Sequence, residues 1–144
     1  MTIGDTVILD RSIFSDWVFA EKNRIDGNIS QEGFEFYSSV RQKMLSLLPL
    51  PHYTIYLRVS AEECYRRIKF LRKRECESGI SLDYLIGLGE AYETLMDELA
   101  NSGAAVLFQN WDKFGDVTQI VHHLENKLPL NEWKREVVVS RLVP

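Results

Sequence analysis

The chain has 144 residues, 45% of them hydrophobic and 26% charged, with a net charge of -4 at pH 7. That is enough for one domain with its own core, and it excludes a disordered or fibrous protein. The mild acidity supplies no basic field for nucleic acid, and no apolar run approaches the about 20 residues of a membrane span. Cys64 and Cys76 lack metal-ligand spacing and read as reduced thiols of an intracellular protein. Met1 to Gly4 is too short for a signal peptide, so the cytoplasm is the expected compartment, with the mitochondrion as the alternative.

In chain order, Thr6-Val7-Ile8-Leu9 has no polar alternation and reads as a strand buried on both faces of a parallel sheet. Asp10, Arg11 and Ser12 would then lie at its carboxyl end, where such sheets bind their ligands. An acid there can hold a magnesium ion through its waters, and a guanidinium can clamp phosphate. An acid-arginine pair beside a helix cap is the plainer alternative. Ser15 or Asp16 is placed to cap a helix through Trp17, Val18, Ala20 and Glu21, which Gly27 ends.

Ser30 caps a second helix, whose Phe34, Tyr37, Val40, Met44 and Leu47 or Leu48 follow the spacing of a core-facing stripe. Leu48-Pro49-Leu50-Pro51 stops it, and Tyr53 to Val59 makes the second strand. Ser60 with Glu63 forms a capping box for a third helix with Cys64, Ile68 and Leu71 on its apolar face. Arg66, Arg67, Lys69, Arg72, Lys73 and Arg74 crowd its remainder, and Ser78-Gly79 is read as its break. A solvated face is the common meaning of such a charge run.

Ser81 caps a long helix carrying Leu85, Leu88, Tyr92, Leu95 or Met96, and Leu99, with Gly87 and Gly89 as sites of close packing or a bend. Ala104 to Phe108 is the third strand and residues 110–115 a loop. Asp116 with Gln119 opens a last helix with Val117, Ile120, Val121, Leu124 and Leu128. His122 and His123 on it read as surface residues. Residues 130–144 form a tail ending in a strand-like run, Val137 to Ser140. The alternation of strands and helices implies an α/β fold, a three-layer parallel sheet flanked by helices with right-handed crossovers.

Three signatures carry a resemblance to the deoxyribonucleoside kinase family, spanning roughly Val7 to Lys127. They are Asp10-Arg11-Ser12 followed by Ser15-Asp16, Tyr56-Leu57-Arg58-Val59-Ser60 leading to Glu63-Cys64 and Arg66-Arg67-Ile68, and Arg72-Lys73-Arg74 with Glu77, then Ile80, Leu82 and Tyr84-Leu85. The resemblance implies a P-loop kinase-like fold over residues 1–129 and transfer of the γ-phosphate of ATP to the 5′-hydroxyl of a deoxynucleoside. It implies that Asp10 is associated with Mg2+ and that Arg11 acts at the 5′-hydroxyl. Arg67, Arg72 and Arg74 match lid arginines over the phosphates, and Glu77 the acid that meets the 3′-hydroxyl. Asp16 matches the position that meets the base edge, and Trp111, Asp112, Lys113 and Phe114 the loop that holds the ATP base. A homodimer through the second and fourth helices is also implied.

The sequence departs from that pattern at Asp10, where glutamate is commoner, and at Trp17, where many relatives carry a basic residue. None of its 8 glycines is followed by Lys-Ser or Lys-Thr, so the phosphate-binding glycine loop is missing from these residues. The family's catalytic glutamate and its glycine-loop strand, which lies between the strands matching Val7 to Asp10 and Tyr53 to Val59, are missing too. Turnover by this chain alone is therefore not expected, and its sheet should lose stability. A non-catalytic kinase-like accessory subunit is the alternative function, and a nucleotide monophosphate kinase fits the spacings less well.

Overall fold

In the computed structural model, residues 7–127 are described. The elements are α1 (Ile13–Ile25), α2 (Gln31–Leu45), β1 (Tyr53–Arg58), α3 (Ala61–Arg66), α4 (Leu82–Asn101), β2 (Ala105–Asn110) and α5 (Val117–Lys127). The expected residues Thr6 and Leu128 and the run Val137 to Ser140 lie outside the described residues. β1 and β2 pair in parallel, from Tyr53 opposite Ala105 to Arg58 opposite Asn110, and the fold is α/β with a parallel sheet flanked by helices.

α4 is the centre of the molecule. Its Ala91, Leu95, Met96 and Leu99 are buried, and with Val18 of α1 and Ala104 they form the core. The same helix covers one face of the sheet, where Tyr56 stacks on Tyr92 with ring centroids 5.8 Å apart. The expected close approach is real at Gly87 alone of the two glycines. A Cβ at Gly87 would collide with the side chain of Lys22, whereas one at Gly89 would meet nothing within 4 Å. Lys22 is buried against that bare stretch of backbone, pairs with Asp26, and has its ammonium 5.7 Å from the Tyr84 ring centre. A buried ammonium needs that pairing to offset the loss of water.

Several sequence expectations are corrected. Val7, Ile8 and Leu9 form no strand, and Ile8 is 91% exposed. An apolar run fulfils strand propensity only when another strand takes up its backbone groups, and among the described residues the sheet has two strands, with none beside Val7 to Leu9. α1 is capped by Ser12, not by Ser15 or Asp16. Ser12 is extended at φ -167° and accepts from the Phe14 N–H, while Ser15 Oγ accepts from the Ser12 N–H at 3.1 Å, closing the box reciprocally. The helix thus starts three residues early and carries Asp16 in its first turn, a favourable place for a carboxylate.

The α2 stripe does not face a core. No residue of α2 is buried, and Val40, Met44 and Leu47 are exposed. α3 does not continue to Ser78-Gly79 either. It passes at Arg67 into one π-helical turn, Arg67–Arg72, which Lys73 ends in the left-handed region at φ 49° before a short 3-10 turn, Glu75–Glu77. Wide turns of this kind have no composition that announces them. The third strand runs two residues beyond Phe108, to Asn110.

Candidate active site

A cavity of about 1290 Å3 is lined by every residue of β1, by none of β2, and by the segment from Val7 to Ser12. Arg11 is held in the left-handed region at φ 63°, a conformation costing an L-residue about 1–2 kcal/mol. It stands between the Val7 to Asp10 segment and the Ser12 cap, and its guanidinium carbon lies 4.8 Å from the centre of the Phe19 ring. Strain of this kind at non-glycine residues clusters at functional sites. Asp10 and Arg11 are exposed on the cavity wall, and Arg67 and Arg72 line the same cavity. Tyr92 reaches it from α4. Burial pushes its phenol upward, Arg11 opposes that shift, and Asp10 reinforces it.

Arg67 is held on every side. Its Nε donates to Glu63 Oε1 at 2.7 Å, and its Nη2 donates to the carbonyls of Trp111 and Asp112 at 2.7 and 2.8 Å. The guanidinium carbon lies 4.7 Å from the Phe114 ring centre. Glu63, hydrogen-bonded first by Arg66 and then by Arg67, is held well below the usual carboxylate range, at about 2. The same loop is tied at two further points. Ser60 N–H donates to Asp112 Oδ1 at 2.7 Å, and Trp111 N–H to the Arg58 carbonyl at 2.7 Å. A Cβ on Gly115 would come within 2.6 Å of the Trp111 ring, so the loop packs closely on itself. Trp111, Asp112 and Phe114 thus surround Arg67, while Lys113 is exposed.

Arg74 and Glu77 sit in a smaller hollow of about 160 Å3 beside Lys69 and Lys73. Glu77 Oε1 pairs with Arg72 at 3.0 Å and with Arg74 at 3.6 Å, but its Oε2 is buried without a hydrogen-bond partner. A buried acceptor left open costs free energy that an incoming donor would recover. Arg72 joins the two hollows, since it lines the large one and pairs with the acid of the small one. Asp16 lies outside the lining of both; its Oδ2 accepts from the Tyr37 hydroxyl at 3.1 Å.

The structure therefore brings Asp10, Arg11, Arg67 and Arg72 to one cavity, sets Arg74 and Glu77 beside it, and gives Asp16 a separate partner. Among the described residues no three His, Cys, Asp or Glu side chains group as metal ligands. Asp10 suits a magnesium ion only as the one protein carboxylate of a site completed by water and phosphate, a common arrangement for that ion. Sequence reasoning missed Tyr37 as a polar contact, because its position fitted an apolar stripe, and did not single out Arg41. The signal available was their i, i+4 spacing, which puts both polar ends over one neighbouring turn.

A family model described as deoxynucleoside kinase matches residues 1–143. A deoxyguanosine kinase of Dictyostelium discoideum is 44% identical over 120 residues, which cover 83% of this chain and 42% of that protein. A deoxyadenosine kinase of the same organism is 31% identical over 118 residues, covering 82% and 47%. Subunit 10 of the NADH dehydrogenase (ubiquinone) 1 alpha subcomplex, mitochondrial, from Rattus norvegicus is 27% identical over 126 residues, covering 87% and 35%. The chain spans less than half the length of these curated relatives.

Proposed function

We propose that this chain, which belongs to the deoxynucleoside kinase family, carries the nucleoside-side half of a site that transfers the γ-phosphate of ATP to the 5′-hydroxyl of a purine 2′-deoxynucleoside. The observation that carries the reading is the shared cavity of Asp10, Arg11, Arg67 and Arg72. The purine is supported by the relatives at 44% and 31% identity, named for deoxyguanosine and deoxyadenosine. Bound ATP would supply the phosphoryl group, and a magnesium ion would neutralise charge on it. Asp10 would hold the ion through its waters.

The chain's own residues have distinct tasks in this reading. Arg11, exposed beside Asp10, neutralises charge as the 5′-oxygen approaches phosphorus. Arg72 and Arg74 hold phosphate oxygens, and their fork geometry suits that contact. Glu77 Oε2, buried and open, accepts from the 3′-hydroxyl of the sugar. Asp16, an acceptor only, meets the amino or imino edge of the base. Trp111, Asp112, Lys113 and Phe114 flank the base of ATP, with Arg67 fixing their loop. Phe36 and Leu47, 71% and 80% exposed on one side of the α2 segment, support a homodimer.

Turnover by the 144 residues alone is expected to be absent, because they contain no glycine loop to cradle the β- and γ-phosphates. The test is calorimetric binding of deoxyguanosine and deoxyadenosine together with an assay of phosphate transfer from ATP. The expected result is binding that Arg11→Ala weakens, without turnover. Turnover well above the Arg11→Ala background would overturn the claim of inactivity. Failure to bind any deoxynucleoside would favour an accessory, non-catalytic role, to which the 27% match to a respiratory-complex subunit points.

A further inference from the structure

Tyr37 and Arg41 stand one turn apart on α2, and both reach the first turn of α1. The Tyr37 hydroxyl donates to Asp16 Oδ2 at 3.1 Å. Arg41 Nη2 donates to the Phe14 carbonyl at 3.3 Å, and its guanidinium carbon lies 6.0 Å from the Trp17 ring centre. Arg41 Nε is buried without a hydrogen-bond partner among the described residues, so this head group is enclosed between the helices. An exposed aspartate otherwise turns easily about its last torsion, which is broad for a carboxylate. A hydroxyl bonded to one oxygen removes that freedom and leaves the other oxygen as a directed acceptor.

We infer that Tyr37 is a positioning residue that fixes the Asp16 carboxylate so that one oxygen faces the amino or imino N–H groups of a nucleobase, with Arg41 keeping α2 in register with α1. The inference rests on the nucleoside reading proposed above and adds to it a determinant of base choice. Burial pushes the Tyr37 phenol up to about 12, and the Asp16 charge adds to the shift. The hydroxyl therefore remains a donor across the physiological range.

The experiment uses the 144-residue chain and its Tyr37→Phe and Asp16→Asn variants, titrated with deoxyguanosine, deoxyadenosine, deoxycytidine and thymidine. Tyr37→Phe should shrink the affinity ratio between the best and worst base roughly five- to tenfold, the scale of one oriented hydrogen bond. A merely structural loss would lower all four affinities together. In the absence of nucleoside, ring-labelled tyrosine resonances should show the Tyr37 phenol titrating lower in Asp16→Asn than in the wild type. An unchanged ratio in Tyr37→Phe, or a Tyr37 titration indifferent to Asp16→Asn, would overturn the inference alone. A wild-type chain that binds none of the four while the tyrosine titration still responds would instead bring down the nucleoside reading, and the inference with it.

Discussion

Arg11 and Arg67 line the same cavity but are held in opposite ways. Arg11 has a strained backbone and an exposed head, with no ion pair among the described residues; it lies over the face of Phe19 and opposes the rise of the Tyr92 phenol. Arg67 has ordinary helical backbone angles at the junction of α3 with the π-helical turn, and a head bonded to Glu63, Trp111 and Asp112, with a side chain only 17% exposed. A guanidinium with its donors free can meet a substrate anion, whereas one with three of its five donors committed holds two segments together. The pair teaches that two arginines of one cavity can be held differently: Arg67 ties the 110–115 loop to α3 through three of its five N–H donors.

The largest effect that sharpens this contrast is expected at Arg67. Arg67→Ala strands the carbonyls of Trp111 and Asp112 and leaves Glu63 to Arg66 alone, at about 2–3 kcal/mol of stability. Denaturant unfolding should show that loss, and amide exchange should be faster at Trp111 and Asp112. A loss below about 0.5 kcal/mol would mean that the loop holds without Arg67.

Arg11→Gly should be close to neutral. Relief of about 1–2 kcal/mol of left-handed strain is opposed by roughly 0.5–1 kcal/mol of added unfolded-chain entropy and by about 0.5–1 kcal/mol for the exposed cation–π contact. Unfolding within about 1 kcal/mol of the wild type, together with lost deoxynucleoside binding, is the expected pattern. Unfolding as damaging as that of Arg67→Ala would break the comparison.

The smallest effect is in acid. Glu63 is depressed to about 2 in the folded chain from the ordinary 4.5, so its pairing stabilises the fold fully above pH 4.5. That contribution fades as the pH falls from 4.5 towards 2. Glu63→Gln should flatten the pH dependence of stability in that window and leave Arg11 unaffected. An acid limb of the same slope in both proteins would show that Arg67 is held mainly by the two carbonyls.

Much of this was legible from the residues. The helix caps at Ser30, Ser60 and Ser81 were found where they stand, because a capping serine bonds a backbone N–H three residues away, but the box expected at Ser60 is open, since its N–H donates to Asp112 and Glu63 accepts from Arg66 and Arg67. β1, with its β-branched and aromatic run, and the stripe of α4 were legible for the same local reason. At α1 two serines three residues apart were both fit to cap, and the choice of Ser12 follows from the turn at Arg11, which no pattern announces. The stripe on α2 was misread because periodicity shows that a face is apolar without naming what covers it.

By itself, then, the sequence determined the order of the elements from α1 to α5, the acid-arginine-serine motif at residues 10–12, the cationic stretch after Ile68, and the kinship that these carry. The tertiary structure decided which arginines are free. Arg67 meets the carbonyls of Trp111 and Asp112 across 44 and 45 residues of chain, and Asp16 meets Tyr37 across 21. Ile8 and Leu9 stay exposed for the same kind of reason, since a strand exists only with a neighbour. Spacing rules reach about one helical turn or one hairpin, and contacts between distant segments depend on how α4 gathers α1, α3 and the sheet around itself.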